Sequence, residues 1–360
     1  MKNILHISLI VAAAILASCT MTVVEYEAAG DIGFAPAAGN MTKVAVGTSE
    51  NDINYPTNLN MIIFAESVEN KSTEPDYIDH GEFAYLYSVG SWGGWDSSGS
   101  MGVQVSYPWP SSYNLHFAGY SMSGNVKDIT TDYTFRGDIL TMTGYVQDNS
   151  LGWDSEKKEA VYGANDLTYF PSTATAKQDG YHKTDNNGVV PVTMLHTCSW
   201  ISFIVKGDDV STGIVGSKYT INEITITDIY KKGNVTCQGK TVTWGFKDEN
   251  NQPYPIGSEA VLTNSKSLDN SAATPVVAED IPNNTVVLPQ TPGKLTITYR
   301  DGSSQYTKEN IDLKINDDAT KNYWMPGIHY TYTITIKANT IQIEPSPVKW
   351  TSGDWGVTVE

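Results

Sequence analysis

Arginine is nearly missing: of 360 residues, only Arg136 and Arg300 carry a guanidinium. Lysine and arginine together number 23 against 40 aspartates and glutamates, a formal charge of −17. Phosphate recognition needs clustered Lys and Arg, so this balance argues against nucleic acid as a partner. It also argues against adsorption on anionic lipid. The acidity favours solubility and says little about fold. Charged residues make up 18 %, below the roughly 25 % of an ordinary domain. Tyrosine (21 residues), threonine, serine, asparagine and glycine fill the gap. That mixture suits exposed β-sheet outside the cytoplasm.

Helical periodicity is scarce as well, and no repeat of roughly 20 to 50 residues is visible, which argues against a solenoid or propeller. There is no His-Glu-x-x-His zinc helix and no Gly-x-Ser-x-Gly elbow, so nothing points to an enzyme, a metal or a cofactor. "GNVTCQGKT" resembles a phosphate loop only superficially. Five residues separate Gly233 from Gly239 where that motif has four, and strands flank it, so it is expected to be a hairpin. His196, in "TMLHTCSW", is expected to be a satisfied core or inter-strand residue and not a ligand. Asp208-Asp209 and Asp317-Asp318 have the clustered carboxylates that calcium favours, but no EF-hand spacing, and solvated turns are the expectation.

Cysteine occurs three times, and its first appearance is informative. An apolar run extends from Ile4 to Ala17, behind Lys2 and broken only by His6 and Ser8. It is shorter than the roughly 20 residues of a membrane-crossing helix. A basic start, a short apolar core and small residues before a cut describe a secretory signal peptide. Leu16-Ala17-Ser18-Cys19 has the form of a bacterial lipobox, in which the cysteine is acylated and becomes the first residue of the mature chain. An ordinary signal peptide with a chance cysteine is the alternative. Thr20 in place of Asp favours the outer membrane, where several acyl chains on Cys19 would anchor the chain. Cys198 and Cys237 then remain, either as one disulfide or as buried thiols.

Strand signals fill the rest. "IHYTYTITIK" is the clearest: Tyr330, Tyr332, Ile334 and Ile336 share one face, and Thr331, Thr333, Thr335 and Lys337 the other. "MIIFAE" at 61, "LHFAGYS" at 115, "SWISFIVKG" at 199 and "KLTITYR" at 294 are similarly rich in β-branched and aromatic residues. Turn clusters separate them. The fold class is therefore all-β, in antiparallel sandwiches. About 340 mature residues exceed one hydrophobic core, so two domains are expected. The polar stretch 176–190 is the expected break. It divides the chain into a signal (1–18), a leader (19–48), an N-terminal sandwich (49–186) and a C-terminal sandwich (187–360). Trp92, Trp95 and Trp109 lie in Gly- and Pro-rich segments. They are candidates for stacking on glycan rings, or else for plugging the end of a sandwich.

Six phrases in order resemble one family: "IGFAPAAGNMTKVAV", "YPWPSSYNLHFAGYS", "NDLTY", "VPVTMLHTCSWISFIV", "VVLPQTPGKLTITY" and "NYWMPGIHYTYTITIKANTIQIEPSPVKW". With the lipobox they cover nearly the whole mature chain, which is similar to Bacteroidales fimbrillins of the Mfa/FimA-like type, the subunits of type V pili. The resemblance implies two tandem transthyretin-like β-sandwiches. It also implies a sequence of events. A lipoprotein precursor reaches the outer membrane, and a trypsin-like protease cuts the leader. The first strand leaves, and a strand from a neighbouring subunit fills the groove.

On this chain the resemblance puts the leaving strand at Ile32 and Phe34 and the cut after Lys43. Relatives favour Arg at the cut, and this chain has none before Arg136, so either the local protease accepts Lys or the subunit stays uncut. The donor strand is either the segment with Ile341, Ile343 and Val348 or the one with Trp355, Val357 and Val359. Four buried donor side chains would supply roughly 6–12 kcal/mol before ordering costs. A head-to-tail contact of this kind grows a filament. Other fimbrial subunits are the implied partners, and a host or bacterial surface receptor a further candidate. The competing expectation is a monomeric outer-membrane lipoprotein that binds glycans through its tryptophan loops.

Overall fold

Unbroken apolar runs and period-two alternation are both present, and they produce strands of two kinds. The computed structural model describes residues 32–36, 58–69, 77–87, 92–96, 104–105, 107–122, 133–149, 153–154, 159–160, 166–207, 219–262, 266–267, 276–277, 285–337 and 340–349. Among these, strands dominate, and the α-helix is a single turn, Thr173–Ala176.

A seven-stranded sheet organises the first body. Its order is Leu195–His196, Leu167–Phe170, Leu115–Met122, Asn58–Ser67, Ile78–Tyr87, Trp92–Asp96 and Gln104–Val105. From Ile62 to Ala65 the strand Asn58–Ser67 is buried on both faces: Ile62 and Phe64 enter one core, Ile63 and Ala65 another. A strand covered on both sides has no polar face to alternate with, which is why "MIIFAE" reads as a continuous apolar run. The neighbouring strand does the same with Leu115 and Phe117 against Ala118 and Tyr120. Between them Gly119 is required by space, since a Cβ there would lie 2.3 Å from the Ile62 carbonyl oxygen.

One face of this sheet is covered by four strands in the order Thr241–Gly245, Lys232–Gln238, Ile139–Val146 and Tyr133–Arg136. The expected hairpin in "GNVTCQGKT" is therefore present: Gln238 pairs with Thr241, and Gly239 takes a φ of 55° in the turn. Cys198 and Cys237 lie together in this core as free thiols. The disulfide alternative is not the one realised, and burial pushes both thiols well above their ordinary range. The other face is covered by the short parallel pair Gly33–Pro36 and Val189–Val192. The break expected between 186 and 187 falls just before Val189, so strands on either side of it meet in one body.

The C-terminal sandwich follows the alternating pattern. One sheet pairs Ser199–Gly207 in parallel with Ile328–Lys337, which pairs antiparallel with the outermost strand Thr340–Lys349. The facing sheet has the order Ile256–Leu262, Tyr219–Tyr230, Lys294–Asp301 and Ser304–Asp312. Tyr330, Tyr332, Ile334 and Ile336 all point into the core between them, as their spacing requires. Trp324 is buried there and donates its indole N–H to the Tyr332 hydroxyl at 2.8 Å.

Candidate functional site

The short strand Gly33–Pro36 has four residues and one paired edge, yet it is firmly seated. Gly33 to Pro36 pair in register with Val189 to Val192, and the Ile32 amide donates to the Tyr107 carbonyl at 2.7 Å. Ile32 and Phe34, two apart and hence on one face, are only 3 % and 2 % exposed. Phe34 meets the Phe117 ring edge-on, with centroids 5.5 Å apart, and shares its core with Ile63, Val190 and Val192. Two fully buried side chains of this size contribute roughly 3–6 kcal/mol. Removing them would leave an apolar slot bordered by the unpaired edge of Val189–Val192.

Two features shape this seat. Trp109 packs edge-on against Phe117 at 5.8 Å and donates its indole N–H to the Gly188 carbonyl at 3.2 Å. It is 7 % exposed, so this tryptophan is a wall of the seat and offers no open ring face. Gly188 ends a left-handed run, with φ of 48° at Asn186, 58° at Asn187 and 79° at Gly188. The run turns the chain into Val189–Val192. A Cβ on Gly188 would stand 3.1 Å from the Trp109 Nε1, so glycine is needed both for φ and for space. Trp92 and Trp95 lie on the strand Trp92–Asp96, with Trp95 opposite Ala84 and Trp92 opposite Leu86.

The second candidate segment, Thr340–Lys349, forms an uninterrupted antiparallel ladder with Ile328–Lys337. Ile341 and Ile343 are half-buried against the C-terminal core, and Val348 lies opposite His329. Proline has no N–H, so Pro345 and Pro347 occupy the outward-directed positions of this edge strand. Two donors are thereby removed from the free edge. Cys19, Lys43, Trp355, Val357, Val359 and the Asp208-Asp209 pair lie outside the described residues.

His196 and Asp318, singled out in the sequence, are held by local partners. His196 is buried, with Nδ1 2.5 Å from Asp166 Oδ2, and so joins the "NDLTY" and "TMLHT" phrases within one core. Asp318 accepts hydrogen bonds from the Thr320 amide and hydroxyl, a local turn. Among the described residues, no three His, Cys, Asp or Glu side chains are grouped to hold a metal. His329 stacks on Trp200 at 3.6 Å, and its burial lowers the imidazole to about 4.

The seat of the leader strand was half-visible in the sequence. Ile32 and Phe34 stand at the spacing of a buried face and "VPVTML" reads as a strand, but that the one receives the other was not foreseen. The alternation of Val190, Val192 and Met194 in "VVPVTML" was the signal that could have found it.

Known proteins bear on this architecture. No curated protein matches the chain. A fimbrial protein from Bacteroides vulgatus superposes with a TM-score of 0.59 at 18 % identity, covering 89 % of this chain and 99 % of that one. The tip fimbrial protein Mfa3 from Porphyromonas gingivalis aligns at a TM-score of 0.35 and 10 % identity, over 82 % of this chain and 94 % of that one. A fimbrial assembly protein from Parabacteroides distasonis aligns at 0.34 and 10 %, over 81 % and 91 %. The first of these shares the fold. Residues 42–355 match the family described as fimbrillin-like, and the chain, all-β and nearly filled by that match, belongs to the fimbrillin-like family.

Proposed function

We propose that the chain is a structural subunit, shaft or accessory, of a type V fimbria that supports adhesion. On this reading it is exported as a lipoprotein on Cys19, held at the outer membrane, cut after Lys43 by a trypsin-like protease, and polymerised by donor-strand exchange. The observation that carries the reading is the seat of Ile32 and Phe34. A four-residue strand fills an apolar slot and lies upstream of the cut, so cleavage would free it and open the slot. An extended segment from another subunit, with alternate apolar side chains, matches such a slot in shape and hydrogen bonding. Exchange of this kind is heterologous and extends a filament, with surface-exposed fimbriae as its product.

The position of Thr340–Lys349 fits this scheme. Lys349 pairs with Ile328, and Gly327 donates to the Cys198 carbonyl between the two bodies, so the strand ends near the middle of the molecule. A donor that must reach past the end of the subunit has to detach this strand from its edge. Both donor segments, Ile341-Ile343-Val348 and Trp355-Val357-Val359, remain candidates on this reading.

The test is limited trypsin treatment of the signal-less precursor under native conditions. A new N-terminus at Val44 with SDS-resistant ladders is expected. A chain that is cut there but stays monomeric, and is retained on a polysaccharide column, would instead favour a glycan-binding lipoprotein.

A further inference from the structure

The chain crosses between its two bodies where Tyr219–Tyr230 hands over to Lys232–Gln238. A second contact is made by Thr285–Val287, where Val286 enters the core of the first body and Val287 that of the C-terminal sandwich. Two carboxamides hold these crossings. Asn149 Oδ1 accepts from the Val286 amide at 2.8 Å, and its Nδ2 donates to the Val286 carbonyl at 2.9 Å. Gln290 Oε1 accepts from the Tyr230 amide at 2.7 Å, and its Nε2 donates to the Tyr230 and Leu288 carbonyls, both at 3.0 Å. Each side chain thus satisfies both backbone groups of one residue, as a neighbouring strand would. Between them the Gln147 amide donates to the Lys231 carbonyl at 2.7 Å, and the Gln290 carbonyl accepts from the Trp324 amide. Gln290 is the glutamine of the phrase "VVLPQTPGKLTITY".

We propose that Asn149 and Gln290 are joint-setting residues, a pair of neutral clamps that fix the two bodies at one angle and make the subunit a single stiff unit. A carboxamide offers one donor and one acceptor group with no net charge, so the clamp does not weaken with salt or titrate with pH. Polar groups nearby are held by their own partners: Lys231 pairs with Glu259 at 2.8 Å, and the Tyr323 hydroxyl donates to the Pro289 carbonyl. Asp148 adjoins Asn149 in sequence. The proposal stands whether or not the chain polymerises.

The experiment places spin labels at Thr243→Cys and Ser303→Cys, one in each body, in the full chain carrying Cys19→Ser. The buried Cys198 and Cys237 thiols are left unlabelled. A narrow distance distribution is expected for the parent. With Asn149→Ala and Gln290→Ala combined, the distribution should broaden while circular dichroism keeps the strand signature. An unchanged width in a folded double variant overturns the proposal. Should that variant fail to fold, Gln290→Glu keeps the acceptor for the Tyr230 amide but turns a carboxylate toward two carbonyls. Its distribution should be broad at neutral pH and narrow on acidification, when the protonated carboxyl can donate again. A Gln290→Glu chain as narrow and as flat in pH as the parent also overturns it.

Discussion

Two strands lie at the margins of this molecule, and they are held in opposite ways. Gly33–Pro36 has few backbone contacts, but its Phe34 and the adjoining Ile32 are almost wholly buried. Thr340–Lys349 has a ladder of ten residues, yet Ile341 and Ile343 are only half-buried and the outer face is exposed. Side chains secure the first; the backbone secures the second. Hydrogen bonds can be exchanged one by one with water at a modest net cost, about 1 kcal/mol each, whereas a seated aromatic ring leaves all at once. Gly33–Pro36 is therefore held or lost as one block. The C-terminal strand is suited to peeling.

The sharpest way to break this contrast is Phe34→Ala in the uncut chain. It should cost about 3–5 kcal/mol in urea unfolding, the usual range for a buried phenylalanine. A loss near zero would mean that pairing with Val189–Val192, and not the ring, holds the leader.

Acid provides the next test, on the C-terminal side. Burial lowers His329 to about 4 from its ordinary 6.5, so the folded state prefers the neutral ring. As pH falls the unfolded chain takes up the proton first. The stability is complete above about pH 6.5 and drains away between about 6.5 and 4, a total loss of roughly 3 kcal/mol. His329→Gln should flatten that window when its melting temperature is compared with the parent's across pH. An unchanged slope would remove His329 as the cause.

Smaller effects refine the comparison. Ile343→Ala should cost about 1–2 kcal/mol, below the value for a fully buried isoleucine because its site is half-buried. It should also speed amide exchange along Ile328–Lys337, while amides of Val189–Val192 stay slow. Trp109→Phe keeps an aromatic wall but leaves the Gly188 carbonyl without its indole donor. About 1 kcal/mol is expected from thermal melts, with faster exchange at Val190.

How much of this was legible depended on how many faces of a strand are covered. The Tyr330 to Ile336 alternation was readable because one face packs and the other does not. Ile62 to Ala65 could be recognised as a strand but not placed, since a doubly buried run carries no record of which neighbour covers which face. The pairing of Ile139–Val146 with Lys232–Gln238 links positions roughly a hundred residues apart, and nothing local encodes it. Trp109 shows another limit. A tryptophan flanked by prolines reads equally as a surface platform or a plug, and the choice rests on the left-handed run at Asn186 to Gly188, far away in the chain. Ile32 and Phe34, by contrast, were identifiable as a strand face from spacing alone.

Pro345 and Pro347 have a consequence for life in a crowd. Copies gathered at high density would present the same free strand to one another. An edge with every donor intact invites copies to knit side by side into sheets. With two donors deleted, the strand can pair fully along one flank only. Side-by-side knitting at this edge is thereby discouraged.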